Sequence, residues 1–354
     1  MGNENQYVNE CLETNWISSQ GKFITKFEEK LAEYHNSKYC VVTSSCTTAI
    51  HLALMSLDIK EGDEVICPAL TFIAPANMIQ LSGAKLVLVD INPNTLTIDI
   101  NKIEEKISRR TKAIIIVHQF GHAAHMDEIL KISKKYNLKV IEDNAEALGG
   151  KYKNQILGSI GDVGTLSFFA NKIITSGEGG ALLTNNSQIF ERARILRDHG
   201  MSREIRYKYV LRGYNYRMTN LQAAIGLAQL EKLDEILSIR ESQMNLYYKL
   251  LNNENIYLRN FADWVTPVHW LMTIALTTKK DRNDFIACMK DQGIECRQMI
   301  NPVYKADQFK NLFREEDYKV TESLSGNFVH LPSSTNLKNI EIEKICSAVL
   351  NYVN

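Results

Sequence analysis

The sequence predicts an α/β protein: a mostly parallel seven-stranded sheet with helices on both faces, followed by a small C-terminal α+β domain. Two observations support this fold class. Short β-branched runs alternate with helix-spaced segments through the first 190 residues, and alternation of strand and helix produces a parallel sheet. The middle runs, IIIV at 114–117 and LVLV at 86–89, are apolar at consecutive positions, as expected of strands that are buried on both faces.

The predicted elements follow in chain order. Strands are predicted at 39–43, 64–67, 85–89, 113–118, 140–142, 165–168 and 181–184, with helices at 47–57, 74–81 and 126–136. From 219 to about 252, apolar residues recur at three- and four-residue spacing, which predicts one helix about 45 Å long at 1.5 Å per residue. The C-terminal part mixes strands at 272–277, 295–298 and 328–331 with helices at 282–292 and 340–352. We therefore expect a large domain over residues 1–240 and a small one over 241–354.

Composition narrows the function classes. The 41 Lys and Arg residues balance 41 Asp and Glu residues, so a basic surface for nucleic acid or an anionic membrane is not expected. No apolar run approaches the ~20 residues that span a bilayer, and we expect a cytoplasmic protein. The seven cysteines are widely spaced without a CxxC pair, which predicts reduced thiols and neither a disulfide framework nor a metal site.

Polar residues that follow strands are the candidates for chemistry, because ligands of α/β sheets bind beyond the carboxyl ends of the strands. In VVTSSCTTAIHLAL the small-residue turn at 44–48 opens a helix. Such a turn is an anion site for phosphate, or simply a Ser/Thr helix cap. In VIEDNAEALGG, Asp143 directly follows a central strand. A carboxylate buried there needs a cation, although a helix N-cap is the alternative.

A loop lysine and the start of a helix are the two remaining candidate segments for chemistry. In GTLSFFANKIITSGEGG, Lys172 lies in a loop before a glycine-rich turn. A lysine on a rigid loop between apolar strands is a candidate for forming a Schiff base, and an ordinary solvated lysine is the alternative. The segment LRGYNYRMTNLQAAIG indicates by itself only the start of a helix.

Taken together, a phosphate cup, a buried carboxylate and a reactive amine occur in the order used by pyridoxal phosphate enzymes of the aspartate-aminotransferase fold (fold type I). The sequence resembles the DegT/DnrJ/EryC1/StrS family of sugar aminotransferases, and within it the perosamine-synthase-like branch. The motifs that carry the resemblance are WISSQGKFITKFEEKLA, GDEVICPALTFIAPANMI, VIEDNAEALGG, SFFANKIITSGEGG, RDHGMSR and GYNYRMTNLQAAIGLAQLEKLD. They cover about residues 14–240, and the likeness continues more loosely to the end.

The resemblance implies the cofactor pyridoxal 5'-phosphate and roles for individual residues. Lys172 matches the family's lysine, which holds the cofactor as a Schiff base and then acts as the proton shuttle. Asp143 matches the partner of the pyridine nitrogen, which keeps the ring an electron sink. Glu146 matches the Glu or Gln near the ring's phenolic oxygen, and Phe72 the aromatic that stacks on the ring.

The resemblance also implies a phosphate site and a homodimer. Ser167 and the turn formed by Cys46, Thr47 and Thr48 match the residues that bind the phosphate. Asn215 resembles the residue that reaches the phosphate from the neighbouring subunit, so the active sites are expected to be shared in a homodimer.

Several positions depart from the family's usual pattern. Cys46 stands where the family usually has Gly, and the frequent H-L-Y-G reads HQFG at 118–121. His125 replaces the usual Asp before Met, and the frequent Tyr-Trp-His reads YKY at 207–209.

The implied activity is transfer of the amino group of L-glutamate, which leaves 2-oxoglutarate, to the C4 ketone of a nucleotide-linked 4-keto-6-deoxyhexose. The product is a 4-amino-4,6-dideoxysugar, with GDP-perosamine and UDP- or dTDP-viosamine as the leading candidates. Four alternatives stay open: a C3-aminating homologue, a pyridoxal-phosphate sugar dehydratase, a non-catalytic regulator that binds the cofactor, and an unrelated phosphate-binding protein. Lys172 argues against the dehydratase, because the dehydratases that resemble this family have His at that position.

Overall fold

A seven-stranded sheet lies at the centre of the large domain in the computed structural model, which describes residues 2–277 and 281–354. The strands are β1 Tyr39–Thr43, β2 Glu64–Pro68, β3 Lys85–Val89, β4 Thr111–Val117, β5 Lys139–Asp143, β6 Lys151–Tyr152, β7 Gln155–Ile156, β8 Val163–Ser167, β9 Gly180–Thr184, β10 Ile256–Leu258, β11 Val265–Thr266, β12 Met272–Leu276, β13 Arg297–Gln298 and β14 Phe328–Leu331. The central sheet has the order β1-β9-β8-β5-β4-β2-β3. Only β9 runs antiparallel to its neighbours in it, so the predicted mostly parallel sheet is confirmed.

Helices cover both faces of this sheet. They are α1 Glu4–Glu13, α2 Lys22–Tyr34, α3 Cys46–Ser56, α4 Ala74–Leu81, α5 Met126–Tyr136, α6 Ser187–Arg197, α7 Asn220–Leu230, α8 Leu233–Leu250, α9 Arg282–Asp291, α10 Lys319–Ser325 and α11 Asn339–Val353. Neighbouring residues of β4 point to opposite faces, as they do in any strand. Ile115 lies in an apolar cluster with Ile50 of α3, and Ile116 lies in another with Met126 of α5. Burial on both faces explains why the strand is apolar throughout.

Two helices next to the site begin at side chains that the sequence supplies. The hydroxyl of Ser45 accepts from the N–H of Thr48 at 3.2 Å, and the hydroxyl of Thr219 accepts from the N–H of Gln222 at 3.2 Å. In both cases the third helical residue bonds back to the cap, which completes a capping box. These caps fix where α3 and α7 start.

The predicted continuous helix over 219–252 is wrong, because it is interrupted at Glu231 and Lys232 between α7 and α8. The two helices follow different surfaces: α7 packs on α1 and α2, whereas α8 packs on α11. Glu231 also accepts hydrogen bonds from Asn3 at 2.7 Å and Tyr7 at 2.8 Å. These tertiary contacts leave no trace in the local apolar spacing.

The C-terminal part is α+β, as predicted. Its antiparallel sheet has the order β10-β12-β14-β13, and α9 and α11 belong to it. A small sheet, β11-β6-β7, links this part to the hairpin after β5. The predicted boundary at residue 240 falls within α8 and stays a prediction. Within residues 2–277 and 281–354, no helix combines the length and apolarity needed to cross a bilayer.

Candidate active site

The phosphate turn and Ser167 meet at one edge of the central sheet. Thr43 at the end of β1 pairs with Gly180, and Gly180 pairs with Ser167 at the end of β8. A Cβ on Gly180 would lie 2.4 Å from the backbone nitrogen of Cys46. Glycine therefore allows the strand to lie directly against the start of α3, which brings the two predicted phosphate-binding segments together.

The first turn of α3 has backbone donors left for an anion. Ser45 uses its hydroxyl to cap the N–H of Thr48, and the Thr48 hydroxyl accepts from the N–H of Ser45 at 3.1 Å. The N–H groups of Cys46 and Thr47 have no partner within the helix, and the positive end of the helix dipole lies there. This donor set fits a phosphate group, with Cys46 and Thr47 as its free backbone donors.

Two adjacent carboxylates on β5 differ in how they are satisfied. Glu142 accepts from the N–H groups of Gly158, Ile160 and Gly161 and from the Nε2 of His118, at 2.6–3.0 Å. His118 Nδ1 accepts from a backbone N–H, so Nε2 carries the proton and donates. Burial raises the pKa of Glu142, but these hydrogen bonds outweigh burial and hold the pKa below its usual value. Glu142 is thus a saturated structural group.

Asp143 faces the opposite side of β5 and keeps capacity for a ligand. It is 4% exposed, and its Oδ1 accepts from the N–H of Ala145 at 3.1 Å and the thiol of Cys46 at 3.9 Å. Burial raises the pKa of Asp143, and the Ala145 N–H and Lys172 oppose this rise. A protonated ring nitrogen would supply the close cation that this carboxylate needs. The helix-cap alternative fails, because residues 144–150 form turns and no helix follows.

Glu146 lies in the same buried region. It is 6% exposed, and its Oε2 accepts from the N–H of Phe120 at 2.8 Å. Burial raises the pKa of Glu146, whereas the charge of Lys172 lowers it. The charge of Lys172 thus lowers the pKa of both Asp143 and Glu146, so the predicted amine lies within electrostatic reach of the two predicted carboxylates.

Lys172 rests against an aromatic ring that sequence reasoning did not identify. Its Nζ lies 3.7 Å from the centroid of the Trp270 ring, a distance at which a cation is attracted to the π face. The indole N–H of Trp270 donates to the carbonyl of Asn171 at 2.8 Å. The Trp270 carbonyl in turn accepts from Arg240 at 2.8 Å. The lysine loop is therefore tied to the C-terminal part.

A cavity of about 510 Å³ adjoins Lys172 and Trp270. Its wall combines Arg240, Arg297 and His330 with the segment after β14. Arg297 pairs with Glu295 at 3.0 Å, and both side chains are largely exposed. The volume suits a small ligand, and the guanidinium groups of Arg240 and Arg297 favour an anionic one.

Phe72 and Asn215 are placed at the surface of the chain. Phe72 is 58% exposed and follows β2, so its ring face is open. Asn215 is exposed, and its Oδ1 accepts from Arg217 at 3.0 Å. The next residue, Tyr216, accepts from the N–H of Ser44 at 2.9 Å. The stacking role of Phe72 and the intersubunit role of Asn215 stay predictions.

Sequence reasoning missed Trp270 and Arg259, which approach the site from the C-terminal part. No motif surrounds either one in the sequence. Gln119 and Phe120 belong to the HQFG segment at 118–121, which departs from the family's usual pattern. The local sequence of this segment did not predict the hydrogen bond between Phe120 and Glu146. All four are buried: their side chains are 6% exposed or less.

The chain matches a known protein family and solved structures over nearly its whole length. Residues 1–350 match the DegT/DnrJ/EryC1/StrS aminotransferase family. The chain is 40% identical to GDP-perosamine synthase of Escherichia coli O157:H7, covering 99% of this chain and 96% of that protein. It is 42% identical to GDP-perosamine synthase of Caulobacter vibrioides, covering 98% and 95%. A solved structure of the putative sugar aminotransferase Spr1654 from Streptococcus pneumoniae, in its PLP form, superposes with a TM-score of 0.92 at 28% identity, covering 99% and 97%.

These matches confirm the predicted family, fold type and enzyme class. They also confirm pyridoxal 5'-phosphate as the cofactor, and the donor set fits it. The start of α3 offers N–H groups to a phosphate, Asp143 is a buried carboxylate that forms no salt bridge among the described residues, and Lys172 carries the predicted amine.

Proposed function

This chain belongs to the DegT/DnrJ/EryC1/StrS aminotransferase family, and we propose that it transfers the amino group of L-glutamate to the C4 ketone of a GDP-linked 4-keto-6-deoxyhexose. The product would be a GDP-linked 4-amino-4,6-dideoxysugar of the perosamine type. The observation that carries the proposal is that the phosphate turn, Asp143 and Lys172 share one region: the Cys46 thiol lies 3.9 Å from Oδ1 of Asp143, and the charge of Lys172 lowers the pKa of that carboxyl. Relatives named GDP-perosamine synthase, 34–42% identical over nearly the whole chain, support the nucleotide and the position of amination.

Two sets of residues would hold the cofactor in place: donors to its phosphate and a carboxylate beside its pyridine nitrogen. When bound, pyridoxal phosphate supplies an aldehyde that exchanges amines and a ring that accepts the electron pair released at the substrate carbon. The N–H groups of Cys46 and Thr47, with Ser167, would hold its phosphate. Asp143 would hold a proton on the pyridine nitrogen, because a buried carboxylate favours a cation beside it.

Lys172 would move the proton of the reaction. Its amine would serve as the base next to the proton that must be removed from the donor's Cα. Trp270 holds that amine at 3.7 Å from its ring, which keeps it at the site between the two proton transfers.

The cavity beside Lys172 supports an anionic amino donor. Among the described residues, Arg297 forms an ion pair with one carboxylate, that of the exposed Glu295. A surface ion pair of this kind is worth about 0–1 kcal/mol, so a carboxylate of glutamate could replace Glu295 at little cost. Glutamate and 2-oxoglutarate are therefore the donor pair we propose.

A homodimer with shared sites is part of the proposal. Several large aromatic side chains are exposed in the single chain: Phe72 at 58%, Phe169 at 44%, Tyr207 at 66% and Tyr209 at 60%. Clusters of exposed aromatic side chains are typical of protein interfaces. A second copy would cover this surface and bring Asn215 to the neighbouring phosphate site. The cytoplasmic location predicted from the sequence stays a prediction.

The test is a product assay with the purified protein, L-glutamate and a panel of GDP-, UDP- and dTDP-linked 4-keto-6-deoxyhexoses. We expect amination at C4 of the GDP sugar, identified by mass and NMR, and loss of turnover in Lys172→Ala. Lys153→Ala, which changes an exposed lysine paired with Asp127, is the matched control. Transamination by Lys172→Ala would refute the proposal. A product aminated at C3, or deoxygenated without gaining nitrogen, would favour the homologue or dehydratase alternatives.

A further inference from the structure

Phe120 has a backbone conformation that non-glycine residues rarely adopt. Its φ and ψ are 51° and 36°, in the left-handed region that is enriched at functional sites. The next residue, Gly121, also has a positive φ of 82°, and a Cβ there would lie 1.8 Å from the carbonyl oxygen of Val268. Such a segment persists only when surrounding contacts hold it.

Arg259 supplies contacts of that kind. This side chain, 3% exposed, follows β10 and enters the large domain. Its Nη2 donates to the carbonyls of Thr95 at 2.6 Å and Gln119 at 3.0 Å, and its Nη1 donates to the carbonyl of Phe120 at 3.2 Å. The rigid fork of a guanidinium can bridge three carbonyls at once, which a lysine ammonium cannot do with the same geometry.

The peptide unit between Gln119 and Phe120 is bound at both ends. Its carbonyl accepts from Arg259 at 3.0 Å, and its N–H donates to Oε2 of Glu146 at 2.8 Å. In a trans peptide the C=O and N–H point in opposite directions, so the unit connects Arg259 to Glu146 in a line. A cation at the carbonyl polarises the peptide and strengthens the hydrogen bond that its N–H donates.

We propose that Arg259 is a positioning residue for Glu146, acting through the Gln119–Phe120 peptide. It would fix the orientation and the charge of the carboxylate that the proposed function places near the phenolic oxygen of the cofactor ring. This inference rests on that function, and it links the C-terminal part of the chain to the cofactor site.

Two cations act on Glu146, first Lys172 and more weakly Arg259, so the path from Arg259 through the Gln119–Phe120 peptide to Glu146 (the relay) adds to the effect of the lysine. Glu146 is influenced by Lys172, Asp143 and Arg259. The imidazoles near Arg259 are neutral at physiological pH, because burial and then the charge of Arg259 lower the pKa of His122 to about 3 and those of His269 and His330 to about 4.

Amide hydrogen exchange tests the relay without cofactor or turnover. In the full chain, Arg259→Lys should make the Phe120 amide exchange at least about tenfold faster, since its hydrogen bond to Glu146 is weakened. Arg282→Lys is the matched control, because Arg282 donates to the carbonyl of Ser325 at 2.9 Å within the C-terminal part. Arg259→Gln is the second variant. Unchanged exchange in a folded Arg259 variant, or unfolding of both variants, would overturn the proposal.

A pH titration of the visible absorbance of the cofactor-loaded protein tests the link to the ring. We expect Arg259→Lys to shift the midpoint by about 0.5 pH unit or more, and the same change to have no further effect in a Glu146→Gln background. An equal shift in both backgrounds would mean that Arg259 does not act through Glu146. If the wild-type protein itself shows no visible absorbance with pyridoxal phosphate, the proposed function fails, whereas the exchange experiment still decides the relay.

Discussion

The contact between Trp270 and Lys172 yields a quantitative prediction. In the wild-type protein the indole N–H of Trp270 donates to Asn171 at 2.8 Å, and the Nζ of Lys172 lies 3.7 Å from the centroid of the ring. Trp270→Phe removes this donor and leaves a smaller π face beside the amine. The hydrogen bond is worth about 0.5–1.5 kcal/mol, and part of a cation–π attraction of about 0.5–2 kcal/mol is also lost. A combined loss of about 1–2 kcal/mol corresponds to a roughly 5- to 30-fold slower proton transfer by Lys172.

The assay is a single turnover of the cofactor-loaded protein with glutamate, followed by the loss of visible absorbance. Trp264→Phe is the control, because Trp264 packs on Tyr152 and His125 rather than on Lys172. Slowing by Trp270→Phe alone supports the reasoning. A rate equal to that of the wild type, or equal slowing in the control, would show that the ring does not hold the amine.

Three further predictions follow from the buried groups. Asp143→Asn leaves the ring nitrogen without its anion, and since breaking a buried pair costs about 3–5 kcal/mol, we expect at least a hundredfold slower turnover; a near-wild-type rate would contradict the role. The pKa of the Cys46 thiol is raised well above its usual value by burial of the sulfur. Alkylation of Cys46 at pH 8, read by mass spectrometry, should therefore be slower than that of Cys288, which is half-buried like Cys46, and equal rates would count against this placement. Glu142 has a depressed pKa in the folded state, so its stabilising contribution is present above its unfolded pKa and lost as the pH falls through its folded pKa. The melting temperature of Glu142→Gln should therefore lie below that of the wild type at pH 7, and the gap should narrow towards pH 4; a gap independent of pH would refute this.

The local pattern of the chain was enough to predict all seven strands of the central sheet. Strands buried between two helical layers are apolar at every position, and this signal is strong at 114–117 and 86–89. The start of α3 was also predictable, because a Ser/Thr cap acts on its own next few residues. The sequence also indicated an anion site there, because the free N–H groups of a helix start depend only on where the helix begins. The helix break at Glu231 could not be predicted, since it depends on packing against α1 and α11 rather than on local spacing.

The sequence by itself determined the fold class and the family, and it predicted Lys172, Asp143 and Glu146 as the residues of chemistry. These residues lie at the end of a strand or within five residues after it, so local order along the chain places them near one edge of the sheet. Only the tertiary structure decided what surrounds them. Trp270 and Arg259 lie 99–164 residues away along the chain from the groups to which they donate hydrogen bonds. The physical reason is that a strand end is a local property of the backbone, whereas a ring face or a guanidinium fork reaches its partners only after the C-terminal part has packed against the sheet.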